Sequence, residues 1–193
     1  MEEDIKKMAL SIYEYEQVTK TNPRTLAQVQ RDCIIGTGLE RSLIKEYDIL
    51  TLNDVEFDHS NKDSYNFDLW LDHKYKCEVK RYNFEKNPDW LNFNLNVTWR
   101  DLNHGFINLS TMFKNINDID YILFADFDTD LRAQLTGKID ITNRDNKKLL
   151  KTMVTKSNLE NCSSHYFVVK EIIEAKLLNI DSISLFTFSE NNI

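Results

Sequence analysis

The chain has very little glycine and proline, the two residues that most often interrupt regular structure. Its 193 residues include four glycines and two prolines, and they contain no low-complexity tract or internal repeat. A chain of this length can bury a substantial core in one domain. The sequence therefore predicts a single domain over residues 1–193.

Cysteine is scarce, and hydrophobic runs are short. The three cysteines are far apart and fit neither a disulfide framework nor a zinc knuckle, so we interpret them as reduced thiols. No apolar stretch approaches the roughly 20 residues of a membrane-spanning helix. The acidic start, Met1-Glu2-Glu3-Asp4, is unlike a secretory signal. These features predict a cytoplasmic protein with no membrane partner.

An excess of basic residues is also missing, since the formal net charge is -7. Nonspecific affinity for nucleic acid comes mainly from Lys and Arg that neutralise phosphates. Any nucleic-acid contact must therefore use a local basic patch. Abundant asparagine beside scarce glycine and proline resembles the bias of AT-rich bacterial and phage genomes, which points to a bacterial or phage-infected host cell.

Hydrophobic periodicity predicts helices in the first quarter of the chain. Apolar residues at helical spacing indicate a helix from about Glu3 to Lys20, which ends before Pro23. Further helical stretches run from about Thr25 to Ile35 and from about Thr37 to Tyr47. Gly36 and Gly38 weaken the join, so two helices and one kinked helix are both compatible with this segment.

Alternation of apolar and polar residues then predicts strands and a hairpin. The predicted strands are Asp48–Phe57, Tyr65–Asp72, Tyr75–Lys80, Leu91–Trp99, a buried strand Tyr121–Ala125, a weak strand Gly137–Ile141 and a last strand Ser182–Phe188. The later predicted helices are Asn108–Ile116, Lys147–Thr155 and Val169–Leu178. This order favours an α/β fold in which a mixed β-sheet is flanked by helices and preceded by an N-terminal helical extension.

Two carboxylates and a lysine share the polar side of the predicted hairpin. A three-residue loop, Asp72–Lys74, gives an even register and places Asp68 opposite Glu78, with Cβ atoms about 5 Å apart. Such a pair can ligate one hard divalent cation, Mg²⁺ or Mn²⁺. Lys80 projects from the same face, where it can stabilise charge that develops when a metal-activated water attacks a phosphate.

At these residues the chain resembles a known family. Asp68, nine intervening residues and Glu78-Val79-Lys80 resemble the D-x(n)-E-x-K signature of the PD-(D/E)xK superfamily, which includes restriction endonucleases, Holliday-junction resolvases and phage endonucleases. Phe67 stands where the family name has proline. The resemblance extends over the order of elements from about Gly36 to Phe127. It implies a restriction-endonuclease-like core at 25–128, between the helix of residues 1–24 and C-terminal helices and a strand at 129–193.

The resemblance implies a Mg²⁺- or Mn²⁺-dependent DNA endonuclease without an organic cofactor. Asp68 and Glu78 would ligate the metal, with the Val79 carbonyl as third ligand, and Lys80 would be the catalytic lysine. Glu40, in a segment similar to the resolvase pattern, would be an additional catalytic acid at the metal. A monomer and a homodimer are both compatible with the sequence.

Glu40 has a second interpretation. Thr37-Gly38-Leu39-Glu40 matches a capping box, in which the glutamate would bond to the backbone at a helix start. The sequence leaves both interpretations open. Glu46 is a second candidate for the helical acid.

Basic residues near this set are predicted to hold the phosphate backbone of the substrate. They are Arg41 and Lys45 on the helix of Glu40, and Arg81 and Arg100 around the catalytic strand.

Three alternatives remain open. The polar residues of the hairpin are also compatible with an exposed sheet face that carries an ion pair. A noncatalytic module that binds nucleic acid or a host protein would use the same sheet without a metal. A nuclease directed at RNA would use the same chemistry.

Overall fold

A computed structural model describes residues 2–20, 23–55, 61, 67–83, 106–108, 116–153, 155–156, 165–168, 172 and 175–179. The helices are α1 (Glu2–Thr19), α2 (Leu26–Glu46) and α3 (Arg144–Met153). The strands are β1 (Leu50–Leu52), β2 (Leu69–Leu71), β3 (Tyr75–Arg81), β4 (Phe106–Asn108), β5 (Tyr121–Phe127), β6 (Ala133–Asp140), β7 (Thr155–Lys156), β8 (His165–Val168) and β9 (Leu178–Asn179).

Most of these strands belong to one mixed sheet. Within the described ranges, six strands pair in the order β1-β2-β3-β5-β6-β9, and β4, β8 and β7 form a smaller sheet. Strand β3 pairs antiparallel with β2 and parallel with β5, and β5 pairs antiparallel with β6. The chain is therefore an α/β protein with a mixed sheet, as the order of predicted elements indicates.

Both faces of the sheet are covered by apolar side chains. Odd-numbered residues of β2, β3 and β5, such as Leu71 and Leu123, pack in one cluster with Leu39 and Leu43 of α2. Even-numbered residues of β5 pack on the other face in a second cluster that includes Leu150 of α3. A strand buried on both faces has no polar side, which explains the apolar run from Tyr121 to Ala125 in β5.

The long helix α2 has no break at its glycines. It begins with a capping box at Thr25, whose hydroxyl accepts the Gln28 backbone N–H at 3.3 Å, while Gln28 Oε1 accepts the Thr25 backbone N–H at 2.8 Å. The helix then continues to Glu46 through Gly36 and Gly38. Of the two arrangements that the sequence left open, the single helix is the one formed, because packing on the sheet outweighs the low helix propensity of glycine.

A buried ion-pair network joins α1 to the start of α2. Glu16 is 2 % exposed and accepts hydrogen bonds from Lys20 Nζ at 2.7 Å and from the Arg24 backbone N–H at 3.2 Å. The Arg24 guanidinium also contacts Glu16, and its Nη1 lies 2.7 Å from Asp32 Oδ2. Burial alone would raise the pKa of Glu16, but the bonds from Arg24 and Lys20 lower it to about 2. This network therefore ties the C-terminal end of α1 to the start of α2.

Several predicted strands are shorter or longer in the structure. The strand predicted over Asp48–Phe57 is only β1, and the first strand of the hairpin, predicted over Tyr65–Asp72, is only β2. The weak strand predicted at Gly137–Ile141 is the eight-residue β6. Helix α3 begins three residues before the predicted Lys147 and ends at Met153.

Other predictions fall wholly or mainly outside the described residues. These are the strands Leu91–Trp99 and Ser182–Phe188 and most of the helices Asn108–Ile116 and Val169–Leu178. At their described ends, Asn108 closes β4 and Leu178 lies in β9, so both are in strands instead of helices.

Cys33 and Cys77 are free thiols, as predicted, whereas Cys162 lies outside the described residues. No helix in the part of the chain that is described combines the length and the apolar character needed to cross a bilayer.

Replacing Glu16 by alanine is expected to lower the free energy of unfolding by about 1 to 2 kcal/mol, because Arg24 loses its buried partner but is itself 37 % exposed and keeps Asp32. The contribution of Glu16 is present above the ordinary glutamate pKa of 4.5 and is lost as the pH falls towards about 2. Asp32→Ala removes only the exposed partner of Arg24 and is expected to cost less than about 1 kcal/mol. Urea unfolding at neutral pH measures both, and equal losses in the two variants would contradict this assignment.

Candidate active site

The hairpin register required for the site is present. Leu69 pairs with Cys77 and Leu71 with Tyr75, which is the predicted even register around a three-residue loop. In that loop Asp72 and His73 adopt positive φ angles of 53° and 51°, a region that aspartate and histidine enter more readily than most residues. Extended by one residue, this register would place Asp68 opposite Glu78, although the residues that pair begin at Leu69.

Asp68 departs from the regular ladder, and its side chain replaces a main-chain acceptor. Its backbone N–H donates to the Cys77 carbonyl at 2.9 Å. The Val79 backbone N–H donates to Asp68 Oδ2 at 2.6 Å. The carboxylate therefore lies against β3 at the residue that follows Glu78, and one of its oxygens is fixed by the backbone.

The strand β1 holds the backbone of Asp68 from its other side. Asn53, one residue beyond β1, donates its backbone N–H to the Asp68 carbonyl at 3.1 Å and its side-chain Nδ2 to the Phe67 carbonyl at 3.1 Å. Sequence analysis did not identify Asn53. The only available signal was an asparagine at the end of a strand, which also fits an ordinary turn.

Glu78 and Lys80 form an ion pair that is largely buried. Glu78 is 6 % exposed, and Lys80 Nζ lies 2.5 Å from Glu78 Oε1. The alternative of an exposed sheet face is therefore wrong for Glu78. A buried carboxylate costs several kcal/mol unless it is paired, so this residue needs Lys80 or another cation. The Val79 carbonyl as a metal ligand stays a prediction.

Glu40 joins the set from the middle of α2. A Cβ placed on Gly36 would lie 3.8 Å from Glu40 Oε1, so the side chain extends along the helix towards the preceding turn. The capping interpretation of Glu40 is wrong, because α2 begins at Thr25 and runs through this segment. Burial and the charge of Glu78 raise the pKa of Glu40 to about 7.

Burial and the charges of neighbouring groups also shift the pKa values of Asp68 and Lys80. Burial, followed by the charges of Glu78 and Glu40, raises the pKa of Asp68 well above its usual range. Burial alone would lower the pKa of Lys80, but the charges of Glu78, Asp68 and Glu40 raise it. Three carboxylates thus share one lysine, so the set has an excess of negative charge when all three are ionised, and the raised pKa values of Glu40 and Asp68 reflect this excess.

The chemistry of these donor atoms fits a hard divalent cation. All its side-chain donors are carboxylate oxygens, which Mg²⁺ and Mn²⁺ prefer, and the excess negative charge is of the sign that a cation neutralises. The geometry of these side chains, in contrast, is not that of a complete metal site, since no three Asp, Glu, His or Cys side chains among the described residues are arranged to hold one ion. A cation bound by Asp68 and Glu78 would share them with the Val79 amide and the Lys80 ammonium.

The predicted phosphate-binding residues are not gathered in one place. Arg41 borders a cleft beside Glu40 and Asp68, while Lys45 is exposed in the last turn of α2. Arg81 is 53 % exposed and its Nε lies 3.0 Å from Asp126 Oδ1 on β5, so it has an acidic partner. Arg100 lies outside the described residues.

The cleft that contains Glu40 and Asp68 has a volume of about 310 Å³. Its walls come from α1, α2, the end of β1 and the segment before β2. The lining residues outside the carboxylate set are Asp4, Ile5, Met8, Thr37, Arg41, Leu52, Asn53, Val55 and Phe67. Sequence analysis did not place α1 at the site, because an amphipathic helix does not reveal which surface its apolar face covers.

Comparison with known proteins adds no relative. No protein-family model and no curated protein matches this chain.

The raised pKa of Glu40 predicts how stability changes with pH when metal is removed by a chelator. Between about pH 4.5 and pH 7 the folded protein keeps a proton that the unfolded chain has released, so the free energy of unfolding falls as the pH rises through this window. Glu40→Gln is expected to reduce this fall and to be more stable than the parent at pH 8, by roughly 1 to 3 kcal/mol.

Glu46→Gln is the matched control, because Glu46 is an exposed glutamate at the end of the same helix. It is expected to leave the pH profile unchanged. Urea unfolding at several pH values measures all three proteins. A Glu40→Gln profile as steep as that of the parent would show that Glu40 ionises freely in the fold.

Proposed function

We propose that this chain is a metal-dependent DNA endonuclease of the PD-(D/E)xK type. The observation that carries the proposal is the meeting of Glu40, Asp68, Glu78 and Lys80, which come from α2, the segment before β2, and β3. Glu78 is buried, the Lys80 side chain is 24 % exposed, and Glu40 and Asp68 are partly buried. A partly buried cluster of three carboxylates and a lysine, in which the pKa values of Glu40 and Asp68 are raised, is typical of functional centres.

Each side chain has a distinct part in the proposed reaction. Asp68 and Glu78, with the Val79 carbonyl, would hold Mg²⁺ or Mn²⁺. When bound, the cation supplies a water of lowered pKa and polarises the phosphate. Lys80 would stabilise negative charge on the phosphate oxygens in the transition state. Glu40, whose pKa lies near 7 in the absence of a cation, would be the additional acid that accepts or releases a proton at the metal.

A noncatalytic binding module is the second candidate. The Lys80 ammonium already pairs with Glu78, and the Val79 amide already bonds to Asp68. Such contacts partly offset the negative charge without any metal, and a module that only binds a partner needs no cation. Metal affinity and hydrolysis together separate the two candidates.

Loss of either proposed catalytic group is expected to abolish cleavage. Asp68→Asn keeps an oxygen that can accept the Val79 N–H but removes the charge that binds metal. Lys80→Met keeps the aliphatic stem but removes the ammonium. Each variant should cut single-stranded and plasmid DNA at least 100-fold more slowly than the parent in Mg²⁺ or Mn²⁺, the order of effect of removing one transition-state contact.

Lys148→Ala, on the exposed side of α3, is the matched control and should cut at the parental rate. Circular dichroism checks that the variants are folded. Matched DNA and RNA strands of one sequence decide which nucleic acid is the substrate. Undiminished cutting by both Asp68→Asn and Lys80→Met would refute the assignment.

Calorimetric titration with Mn²⁺ is expected to show one binding event in the parent protein. Asp68→Asn should weaken it by about tenfold or more, since a ligand carboxylate is lost. Because the cation displaces protons from carboxyls of raised pKa, apparent affinity should increase from about pH 6 to pH 8. A parent protein that binds no Mn²⁺ in this range would favour the noncatalytic module.

A further inference from the structure

We propose that the cleft beside the carboxylates receives one unpaired nucleotide, so that the substrate is single-stranded or locally unpaired DNA. This inference rests on the proposed nuclease function and adds the substrate class. The cleft includes Glu40 and Asp68 in its lining, so whatever occupies it lies next to the groups assigned to the scissile phosphate.

Three parts of the chain line the cleft, and each of the two helices contributes residues from a single face. Asp4, Ile5 and Met8 lie on one face of α1, and Thr37, Glu40 and Arg41 lie on one face of α2. The remaining wall is formed by residues that follow β1 or precede β2. The cleft is therefore formed by two helices as well as by loop residues. The helix α2, which forms one wall, also carries the candidate acid Glu40.

The lining combines apolar side chains with one cation, Arg41, and with three carboxylates, Asp4, Glu40 and Asp68. The apolar side chains are Ile5, Met8, Leu52, Val55 and Phe67. Phe67 is 4 % exposed and belongs to the core, whereas the other four are at least partly exposed and can contact the faces of a nucleobase. The methionine sulfur adds a favourable contact with an aromatic ring. Arg41 is the cation in the lining and suits a phosphate. The charge of Asp4 disfavours a phosphate beside α1, so the base would face α1 and the phosphate would face Arg41.

The size of the cleft also favours one nucleotide. Its volume of about 310 Å³ lies at the lower end of the range of roughly 300 to 1,000 Å³ for small-molecule sites. A paired base inside a duplex cannot enter such a site without leaving its stack. The α1 wall is anchored at its other end by buried Glu16, and Ala9 next to Met8 is fully buried, which holds this wall against α2.

Filling the cleft should weaken binding of single strands without touching the carboxylates. The probe is a fluorescein-labelled oligodeoxynucleotide of mixed sequence, measured by anisotropy with Ca²⁺ in place of Mg²⁺ to limit turnover, against a blunt duplex of the same sequence. The parent should prefer the single strand. Met8→Trp should raise the Kd for the single strand at least tenfold, and Arg41→Gln should raise it several-fold.

Leu10→Trp is the matched control, because Leu10 is 46 % exposed on α1 and outside the cleft lining. It should bind the single strand like the parent. Met8→Ala supplies a second variant if the tryptophan disturbs folding, and it should raise the Kd about threefold by removing contacts to the base. Mn²⁺ titration should give the same affinity in the parent and in Met8→Trp.

The outcomes distinguish this inference from the nuclease proposal. Single-strand binding that is lost in Met8→Trp supports the cleft even if the parent cuts no substrate, in which case only the nuclease function fails. Two results would overturn the cleft assignment while leaving the nuclease intact. One is cutting of intact duplex by the parent as fast as single strands, with the same duplex rate in Met8→Trp, and the other is single-strand affinity in Met8→Trp, Met8→Ala and Arg41→Gln equal to that of the parent.

Discussion

The hydrogen bond from the Val79 backbone N–H to the Asp68 carboxylate is the contact on which the site depends. It joins the segment before β2 to β3 at the point where the main-chain ladder becomes irregular. A shift of the hairpin by one residue would turn every side chain of β2 to the other face of the sheet. The apolar residues that fix this register, such as Leu69 and Cys77, therefore also determine where the carboxylates meet.

Holding these charges together works against stability. Burial and mutual repulsion raise the pKa values of Glu40 and Asp68, and Lys80 offsets only part of the negative charge. The apolar clusters on both faces of the sheet must outweigh this cost. Such a site destabilises the fold by itself, and a bound cation would offset its excess negative charge. This is the physical reason to favour a cation-binding function over a structural one.

The hairpin and its polar set could be predicted because strand alternation has a period of two and needs no knowledge of distant residues. Glu40 shows the limit of local patterns. Thr37 to Glu40 and Thr25 to Gln28 both match a capping box, yet only the second begins a helix. Packing of Leu39 and Leu43 on the sheet decides between them, and that contact is invisible in a local window. Local alternation likewise predicts a strand over Asp48–Phe57, whereas pairing with β2 ends at Leu52 and so limits β1 to three residues.

The position of α1 connects the stability of the fold with access to the site. Its C-terminal half is tied to α2 by Glu16 and Arg24, which the sequence shows only as scattered charges. Its N-terminal half places Ile5 and Met8 beside the carboxylates. The helix that Glu16 and Arg24 tie to α2 at one end therefore forms a wall of the cleft at its other end. Packing of α1 on α2 thus shapes the space beside the carboxylates, and a change at the ion pair would be felt at the cleft through the helix.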